Sequence, residues 1–332
     1  MARRAIPFFM LSKAVTHVTE ISQRIPARKK KLWRRIIENK AAYPMLLPVL
    51  VGFAILTIYP NLWVISLSFF KYDGVTNAVF VGMDNYVRLF TRDPGWWRSV
   101  GNTFIFSIFK LLVEMPLALL LASLLNRNLK GSNVYRGIIF LPNVTSTAVM
   151  SAVFALLFAS YNGFYNNVLI GNRLVMRPIE WLNSMPAAMI VCILVSTWQS
   201  IGINTIFFLA GLQGISEDVY ESADIDGAIG VKRFIHITLP LLARMFQIIL
   251  MLAIIGSMQT FDLMKVLTNG GPSGSTEVMM TTIYSYFFPA SYAASTIPQV
   301  GYGSALGVIA TAIIGVVTAL YLLLSRKMND VT

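Results

Sequence analysis

Residues 221–240 read ESADIDGAIGVKRFIHITLP and form a charged segment between two long apolar runs of the chain. The acidic residues come early and the basic residues late, which suits a helix, because its start favours negative side chains and its end positive ones. We predict a short helix after an N-cap at Ser216, and we expect Pro240 to end the segment before the next apolar run. Ala and Gly leave part of this helix without bulk. The segment is therefore either a surface that approaches another backbone closely or a tight turn between two spans.

The composition is that of a membrane protein. Hydrophobic residues make up 56% and charged residues only 13% of the 332 residues, and the mean hydropathy is +0.65. Soluble domains rarely carry so few charges. Because a chain in lipid must satisfy its backbone hydrogen bonds internally, the sequence predicts an all-α integral membrane protein.

Several kinds of chemistry lack the residues that they need. The chain has two histidines, one cysteine at Cys192 and no C-x-x-C pair, so we expect no internal disulfide, no metal site and no catalytic residue. It has no G-x-x-x-x-G-K-[ST] loop, so we expect no ATP and no other cofactor in this chain. It is not predicted to be an enzyme, and any ATP-driven action requires a separate subunit.

Most of the net charge of +12 lies before Tyr43, with a run of Lys and Arg at 28–35. A polybasic run ahead of a span meets anionic lipid and fixes orientation, so we predict that residues 1–43 are a cytoplasmic basic tail. Apolar residues at helical spacing over 29–40 indicate an amphipathic helix on the membrane, and a disordered tail is the alternative. No recognition module accompanies the charge, so we expect no nucleic-acid partner.

Six apolar stretches are long enough to cross a bilayer. We place the spans at about residues 45–70, 103–125, 137–159, 186–212, 241–261 and 302–324, within a membrane domain over 44–325 that is followed by a short tail, 326–332. Lys and Arg concentrate in the two tails and in the loops after the second and fourth spans. The positive-inside rule then predicts that both termini and the loop 216–240 are cytoplasmic.

Two charged residues lie inside the second span. Lys110 and Glu114 are four residues apart, so they share one helix face and can neutralise each other. Charges at membrane depth mark a functional site by default. The alternative is a structural pair that faces a neighbouring helix.

Polar and aromatic residues also lie at mid-depth or near the end of a span, where they cost free energy unless they are paired or face a wet cavity. Trp198 beside Gln199 offers a flat apolar face for a sugar ring and an amide for its hydroxyl groups, whereas a role in helix packing is the alternative. The candidate substrate-binding residues are Trp198, Gln199, Asn204, Gln259, Asp262 and Tyr284.

The charged segment also fits a known motif. The pattern E-A-A, three residues, G, nine residues, I, one residue, L-P is met at every spacing by Glu221, Ser222, Ala223, Gly227, Ile237, Leu239 and Pro240. The segment resembles the EAA loop of ABC importer permeases, with Ser222 where that family usually has Ala. The resemblance implies that residues 216–240 carry a cytoplasmic coupling helix, which docks in a groove of an ATPase subunit through these residues.

Other stretches carry the resemblance through most of the chain after the basic tail. Tyr59-Pro60, residues 80–86, Leu141-Pro142 and residues 267–272 are similar to the carbohydrate-uptake branch of these permeases, the maltose and glycerol-phosphate type. The last motif resembles the F-type or A-type half of the permease pair, and the whole chain looks like a subunit of an alginate oligosaccharide importer. The resemblance implies the six-helix type I ABC importer permease fold in a bacterial inner membrane.

The same resemblance implies a function and a set of partners. It implies an ATP-driven importer that translocates a sugar or oligosaccharide delivered by a periplasmic or extracellular solute-binding protein. The implied partners are a second homologous permease in a heterodimer, two ATPase subunits that carry ATP–Mg, the solute-binding protein, the carbohydrate and membrane lipids. A self-sufficient secondary transporter or channel for a small polar solute is the alternative, and paired inverted repeats would support it. A membrane-embedded enzyme is a further alternative, and it would need a nucleophile or a metal cluster at depth.

Overall fold

A computed structural model describes residues 42–127, 130–289 and 297–329 of the chain. The predicted amphipathic helix at 29–40, with nearly all of the basic tail, lies outside the described residues, as do the last three residues. The chain divides into two compact units, one up to Asn61 and one from Leu62 onward. Almost all of the described elements are helices.

The described part of the first unit is apolar and contains a widened helical turn. Helix α1 (Ala42–Phe53) continues through a π-helical turn (Ala54–Ile58) into α2 (Tyr59–Leu67). The Tyr59 amide donates to the Ala54 carbonyl across the turn, directly before Pro60. Proline has no amide hydrogen and clashes with the carbonyl four residues earlier, so a widened turn lets the helix continue past it.

The second unit contains a small hairpin and a bundle of helices. Strands β1 and β2 pair antiparallel, with Phe70 opposite Phe80. The elements in chain order are β1 (Phe70–Lys71), β2 (Val79–Phe80), α3 (Asp84–Arg92), α4 (Pro94–Leu125), α5 (Ser132–Val144), α6 (Thr147–Leu157), α7 (Phe164–Gly171), α8 (Met185–Gln213), α9 (Glu217–Ile225), α10 (Val231–Arg233), a π-helical turn (Phe234–Thr238), α11 (Leu239–Met258), α12 (Asp262–Leu267), α13 (Met279–Phe287) and α14 (Val300–Asn329).

Five helices in the described residues are long and apolar enough to cross a membrane, and a sixth span results if one bent pair counts as a single span. The bent pair is α5 and α6, which meet at 91° where we predicted one span at 137–159. Thr145 is extended between them, three residues after Pro142. Because Pro142 removes one helical hydrogen bond, the chain is weakest there and turns.

The helix that carries the predicted second span begins before residue 103. Helix α4 starts at Pro94, well before residue 103, because Asp93 caps it: the Asp93 carboxylate accepts the Trp96 amide at 2.9 Å, and Pro94 occupies the first helical turn. At the other end of the chain, α14 runs to Asn329, so the predicted tail over 326–332 begins as helix.

The prediction that Pro240 ends the charged segment is wrong. One continuous helical stretch runs from Val231 to Met258, and Pro240 lies in the first turn of α11. The Leu239 amide donates to the Phe234 carbonyl across the π-helical turn that precedes the proline. This is the arrangement seen before Pro60, and it removes the need for a helix end.

The core of the second unit is built around α4 and α8, which pack together more extensively than any other pair of described elements. Helix α5 also approaches α8 closely at Gly202, where an added Cβ atom would collide with the Ile139 carbonyl oxygen. Fully or nearly fully buried side chains fill the spaces between helices, among them Trp96, Phe106, Phe208, Leu242, Ile249 and Leu306. Leu125 of α4 and Leu212 of α8 belong to one buried cluster, so the ends of these two helices lie side by side.

Candidate functional site

The loop 216–240, which we call the coupling loop, begins with the predicted short helix. Helix α9 covers Glu217–Ile225, with Ser216 in extended conformation at the N-cap position and two acidic residues in the first turn. The Ser216 side chain makes no capping hydrogen bond. The Ser222 hydroxyl instead donates to the Asp218 carbonyl at 2.8 Å, so the residue that departs from the EAA pattern is bonded within its own helix.

Gly227 turns the chain at the end of α9. Its φ of +74° lies in the left-handed region, and the Ala228 amide donates to the Ala223 carbonyl at 2.8 Å. The Gly227 amide donates to the Asp224 carbonyl, and Ala223 and Ala228 are both buried. Together these contacts form a Schellman motif, which needs a residue that adopts positive φ without strain. The space beside Gly227 is open.

The second arm of the coupling loop folds back on the first. Arg233 follows Gly230, which also has positive φ, and its Nη1 atom lies 2.8 Å from Asp224 Oδ1. The Arg233 guanidinium lies over the Tyr220 ring at 5.4 Å. Sequence reasoning missed this ion pair, although opposite charges on the two arms were a usable signal.

A cleft of about 1230 Å³ lies beside the coupling loop. Its walls come from the last turns of α4 and α8, from α9 and from the second arm. The lining residues include Leu120, Leu124, Arg127, Leu212, Gln213, Tyr220, Glu221, Asp224, Arg233 and Thr238. The site is thus a joint between the coupling loop and two core helices.

The predicted coupling residues divide between the two arms. Glu221 lines the cleft, Ser222 and Gly227 are exposed, and Ala223 is buried. The second arm carries the half-buried residue Ile237 and the exposed residues Leu239 and Pro240. Five of these seven side chains are therefore accessible or partly accessible to another molecule, whereas Ala223 packs inside the loop and Gly227 shapes it.

Trp198 and Gln199 lie in α8 near the break between α5 and α6. Trp198 is 46% exposed, and its ring packs edge-on against Phe154 with 5.3 Å between centroids. The Gln199 amide donates to the Thr147 hydroxyl at 2.8 Å. These two residues therefore border the bent third span.

Asn204 lies one turn further along α8 and has a partner inside the protein. Its side chain is buried, and its amide donates to Glu114 Oε1 at 2.6 Å. The structure thus directs Asn204 toward α4.

The remaining candidates lie at the far end of α11. Gln259 and Tyr284 line one aromatic hollow of about 290 Å³, together with Phe261, Met280, Ile283, Phe287 and Phe288. The Tyr284 ring lies 4.9 Å from the Phe261 ring and 4.9 Å from the Phe288 ring, centroid to centroid. Asp262 is exposed at the start of α12. The structure therefore brings Gln259 and Tyr284 together and holds Trp198 and Gln199 on other elements.

The acidic and metal-ligating side chains of the described residues are dispersed. Within the described ranges, no three His, Cys, Asp or Glu side chains are grouped closely enough to hold a metal ion. Lys110 and Glu114 form a buried pair of opposite charges, with Nζ and Oε2 3.1 Å apart.

Residues 114–330 match the family described as "Binding-protein-dependent transport system inner membrane component". The chain is 34% identical over 308 residues to the arabinooligosaccharides transport system permease protein AraP of Bacillus subtilis, covering 91% of this chain and 95% of that protein. It is 31% identical to the trehalose/maltose transport system permease protein MalF of Thermococcus litoralis, covering 88% of this chain and 96% of that protein.

The fold is also similar to a solved structure. A chain in the crystal structure of a bacterial ABC transporter involved in the import of the acidic polysaccharide alginate superposes with a TM-score of 0.75. The alignment covers 90% of this chain and 99% of that chain, at 22% sequence identity. This likeness supports the six-helix permease fold that the motifs predicted.

Proposed function

This chain belongs to the family of binding-protein-dependent transport system inner membrane components, as a permease subunit of an importer and not an enzyme, and on that premise we propose that it imports a carbohydrate. Relatives at 34% and 31% identity are named as permeases for arabinooligosaccharides and for trehalose and maltose. Their names support a sugar or oligosaccharide as the substrate class, delivered by a solute-binding protein.

The observation that carries the mechanism is the shape of the coupling loop. Two short arms are closed on each other by the Asp224–Arg233 ion pair and border a cleft at the ends of α4 and α8. A compact and partly exposed loop of this kind suits docking in a groove of a separate ATPase subunit. The accessible side chains for docking are those of Glu221, Leu239 and Pro240. The Schellman motif at Gly227 stabilises the conformation of the coupling loop.

The proposed assembly has two homologous permeases in a heterodimer, two ATPase subunits that carry ATP–Mg, and a solute-binding protein on the opposite side of the membrane. The coupling loop and both termini are cytoplasmic in this proposal, as the distribution of Lys and Arg supports. When ATP closes the ATPases, the docked loops move with them. Because α9 follows α8 directly, a shift of the coupling loop changes the position of a core helix. ATP on the ATPase and substrate in the permease then bias the same equilibrium between two positions of that helix.

Two aromatic surfaces suit a sugar. Trp198 with Gln199 and Tyr284 with Gln259 each pair a flat ring with a side-chain amide. Aromatic faces pack against the apolar faces of sugar rings, and amides hydrogen-bond to hydroxyl groups. We propose that the carbohydrate contacts these residues as it passes between the two permeases, with Asp262 at the rim of the hollow.

The proposal is tested by reconstituting this chain in proteoliposomes with its partner permease, the ATPase and the solute-binding protein. We expect uptake only when ATP is on the ATPase side and the solute-binding protein is on the other. Mass spectrometry of ligand that copurifies with the solute-binding protein identifies the substrate. Uptake by this chain alone, without ATP, would support the secondary transporter and overturn the proposal.

A further inference from the structure

Three polar side chains join α4 to α8 inside the core. Glu114 is fully buried, and its two carboxylate oxygens have different partners: Lys110 Nζ lies 3.1 Å from Oε2, and the Asn204 amide donates to Oε1 at 2.6 Å. Lys110 and Asn204 are each only 6% exposed. We call this group the interhelix tie.

The tie is a poor way to gain stability. Removing two charges from water costs several kcal/mol per ion in real proteins, and replacing such a pair by apolar residues is often neutral or stabilising. The distinctive property of the tie is that its hydrogen bond restricts the relative position of α4 and α8. A hydrogen bond of 2.6 Å between Asn204 and Glu114 forms only when the two helices have one relative position, whereas apolar contacts tolerate small slides.

The tie also has a particular position along the helices. Glu114 lies eleven residues before the end of α4 and Asn204 nine residues before the end of α8. At 1.5 Å per residue, these are heights of about 16 and about 14 Å above the two helix ends. Both ends line the cleft beside the coupling loop, through Leu124 of α4 and Gln213 of α8. The two anchoring residues are thus nearly level.

Pro116 weakens the turn of α4 that carries Glu114. It is inside the helix, two residues after Glu114, and it is the first α4 residue that lines the cleft. An internal proline removes one helical hydrogen bond and makes the helix easier to bend there. The amide that Pro116 lacks would have bonded the Leu112 carbonyl, so the weakened turn spans residues 112–116 and includes Glu114, and the part of α4 that borders the coupling loop can bend there.

We propose that Lys110, Glu114 and Asn204 form a positioning device that holds α4 and α8 together at the turn before Pro116. A displacement of the coupling loop then reaches both helices together, and without the tie α8 slides past α4 and the displacement is lost. Lys110 neutralises the charge of Glu114 from the same helix, and Glu114 and Asn204 make the link. This inference rests on the proposed coupling role of the loop 216–240.

The test compares variants in the assembled complex and measures solute uptake per ATP hydrolysed. K110M/E114L removes the tie and both charges, N204L cuts the tie and leaves the ion pair, and K110M/E114Q removes both charges but keeps an acceptor for Asn204. Leu112→Met, at an exposed position of the same helix, is the matched control. We expect K110M/E114L and N204L to lower the uptake per ATP about fivefold or more, the lower end of usual coupling strengths. K110M/E114Q and Leu112→Met should stay near the wild-type ratio.

The outcomes separate this inference from the proposed function. A wild-type complex that takes up solute without ATP refutes the proposed coupling role, whatever the variants do. A normal wild-type complex with an unchanged ratio in N204L refutes the tie alone. The tie is also refuted if K110M/E114Q loses as much coupling as K110M/E114L, because charge would then matter and not the link. Failure of both K110M/E114L and N204L to assemble with the ATPase assigns the group to folding and overturns the inference.

Discussion

The guanidinium of Arg233 binds the carboxylate of Asp224, with Nη1 2.8 Å from Oδ1 and 3.0 Å from Oδ2, and this ion pair closes the two arms of the coupling loop. Arg233→Ala and Asp224→Ala should each weaken ATPase binding. Both side chains are at least one-third exposed, so the loss is about 0.2–1 kcal/mol, or up to about fivefold in Kd. Titration of the purified ATPase onto permease in nanodiscs measures the change.

The swapped variant D224R/R233D serves as the control for this pair. It should recover part of the affinity, because the ion pair reforms while the stacking of Arg233 on Tyr220 is lost. The difference between wild type and the single variants should shrink at high salt, since exposed charges are screened. Equal binding by the swap and by the single variants would show that the charges contact the ATPase directly.

Gly227 is expected to matter through its conformation. At φ +74° an L-residue with a Cβ atom is strained by about 1–2 kcal/mol, and Asn tolerates this region better than Ala. Space around Gly227 is open, so ATPase binding should be weaker for Gly227→Ala than for the larger Gly227→Asn. Gly256→Ala, in open space within α11, is the matched control and should bind normally. The reverse order, with Ala binding better than Asn, would show that bulk at the ATPase interface decides.

The sequence was informative wherever the determining residues are close along the chain. The short helix after Ser216 followed from charge order and an N-cap residue, and α9 has that position. The sequence also contains a signal for the early start of α4, because Asp93 followed by Pro94 is typical of a helix start. The prediction of residue 103 follows from the apolar run alone. The prediction that the segment ends at Pro240 is wrong, because a helix can continue through a proline when a widened turn precedes it.

Contacts between distant parts of the chain could not be predicted from the sequence. The bond between Asn204 and Glu114 joins residues 90 positions apart, and it depends on the rotation of two helices about their axes. Periodicity shows that Lys110 and Glu114 share a face, but it does not show which helix that face meets. The 91° turn between α5 and α6 likewise depends on packing as well as on Pro142. The prediction that Asn204 contacts the substrate therefore could not take account of its hydrogen bond to Glu114.

Gly202 is predicted to be required for the close packing of α8 on α5. A Cβ atom there would collide with the Ile139 carbonyl, so Gly202→Ala should cost about 1–3 kcal/mol, as overpacking does. Thermal unfolding in detergent should show a lower Tm. Gly137→Ala, in α5 with open space around it, should leave Tm unchanged or raise it through helix propensity. An unchanged Tm for Gly202→Ala would mean that the two helices separate easily.

Gln199 is predicted to contact the transported solute. Gln199→Leu should raise the KM for uptake about two- to tenfold, as expected for one lost hydrogen bond, while assembly with the ATPase stays normal. Because Gln199 also donates to the Thr147 hydroxyl at 2.8 Å, Thr147→Val tests whether this bond alone matters. Thr147→Val should leave uptake close to wild type. An equal defect in Gln199→Leu and Thr147→Val would show that Gln199 acts by stabilising the break between α5 and α6.

Tyr284 is predicted to act through its ring. The ring lies between Phe261 and Phe288 in the aromatic hollow, and Lys265 Nζ is 5.2 Å from its centroid. A sugar packing on this ring would lose about 0.5–1.5 kcal/mol in Tyr284→Ala, or about two- to tenfold in KM, while Tyr284→Phe should behave like wild type. Phe90→Ala, which removes an exposed ring that packs tilted against Trp97 outside the hollow, is the matched control. If Tyr284→Phe is as impaired as Tyr284→Ala, the hydroxyl and not the ring face makes the contact. If all three variants transport normally, the solute passes through the permease without touching this hollow.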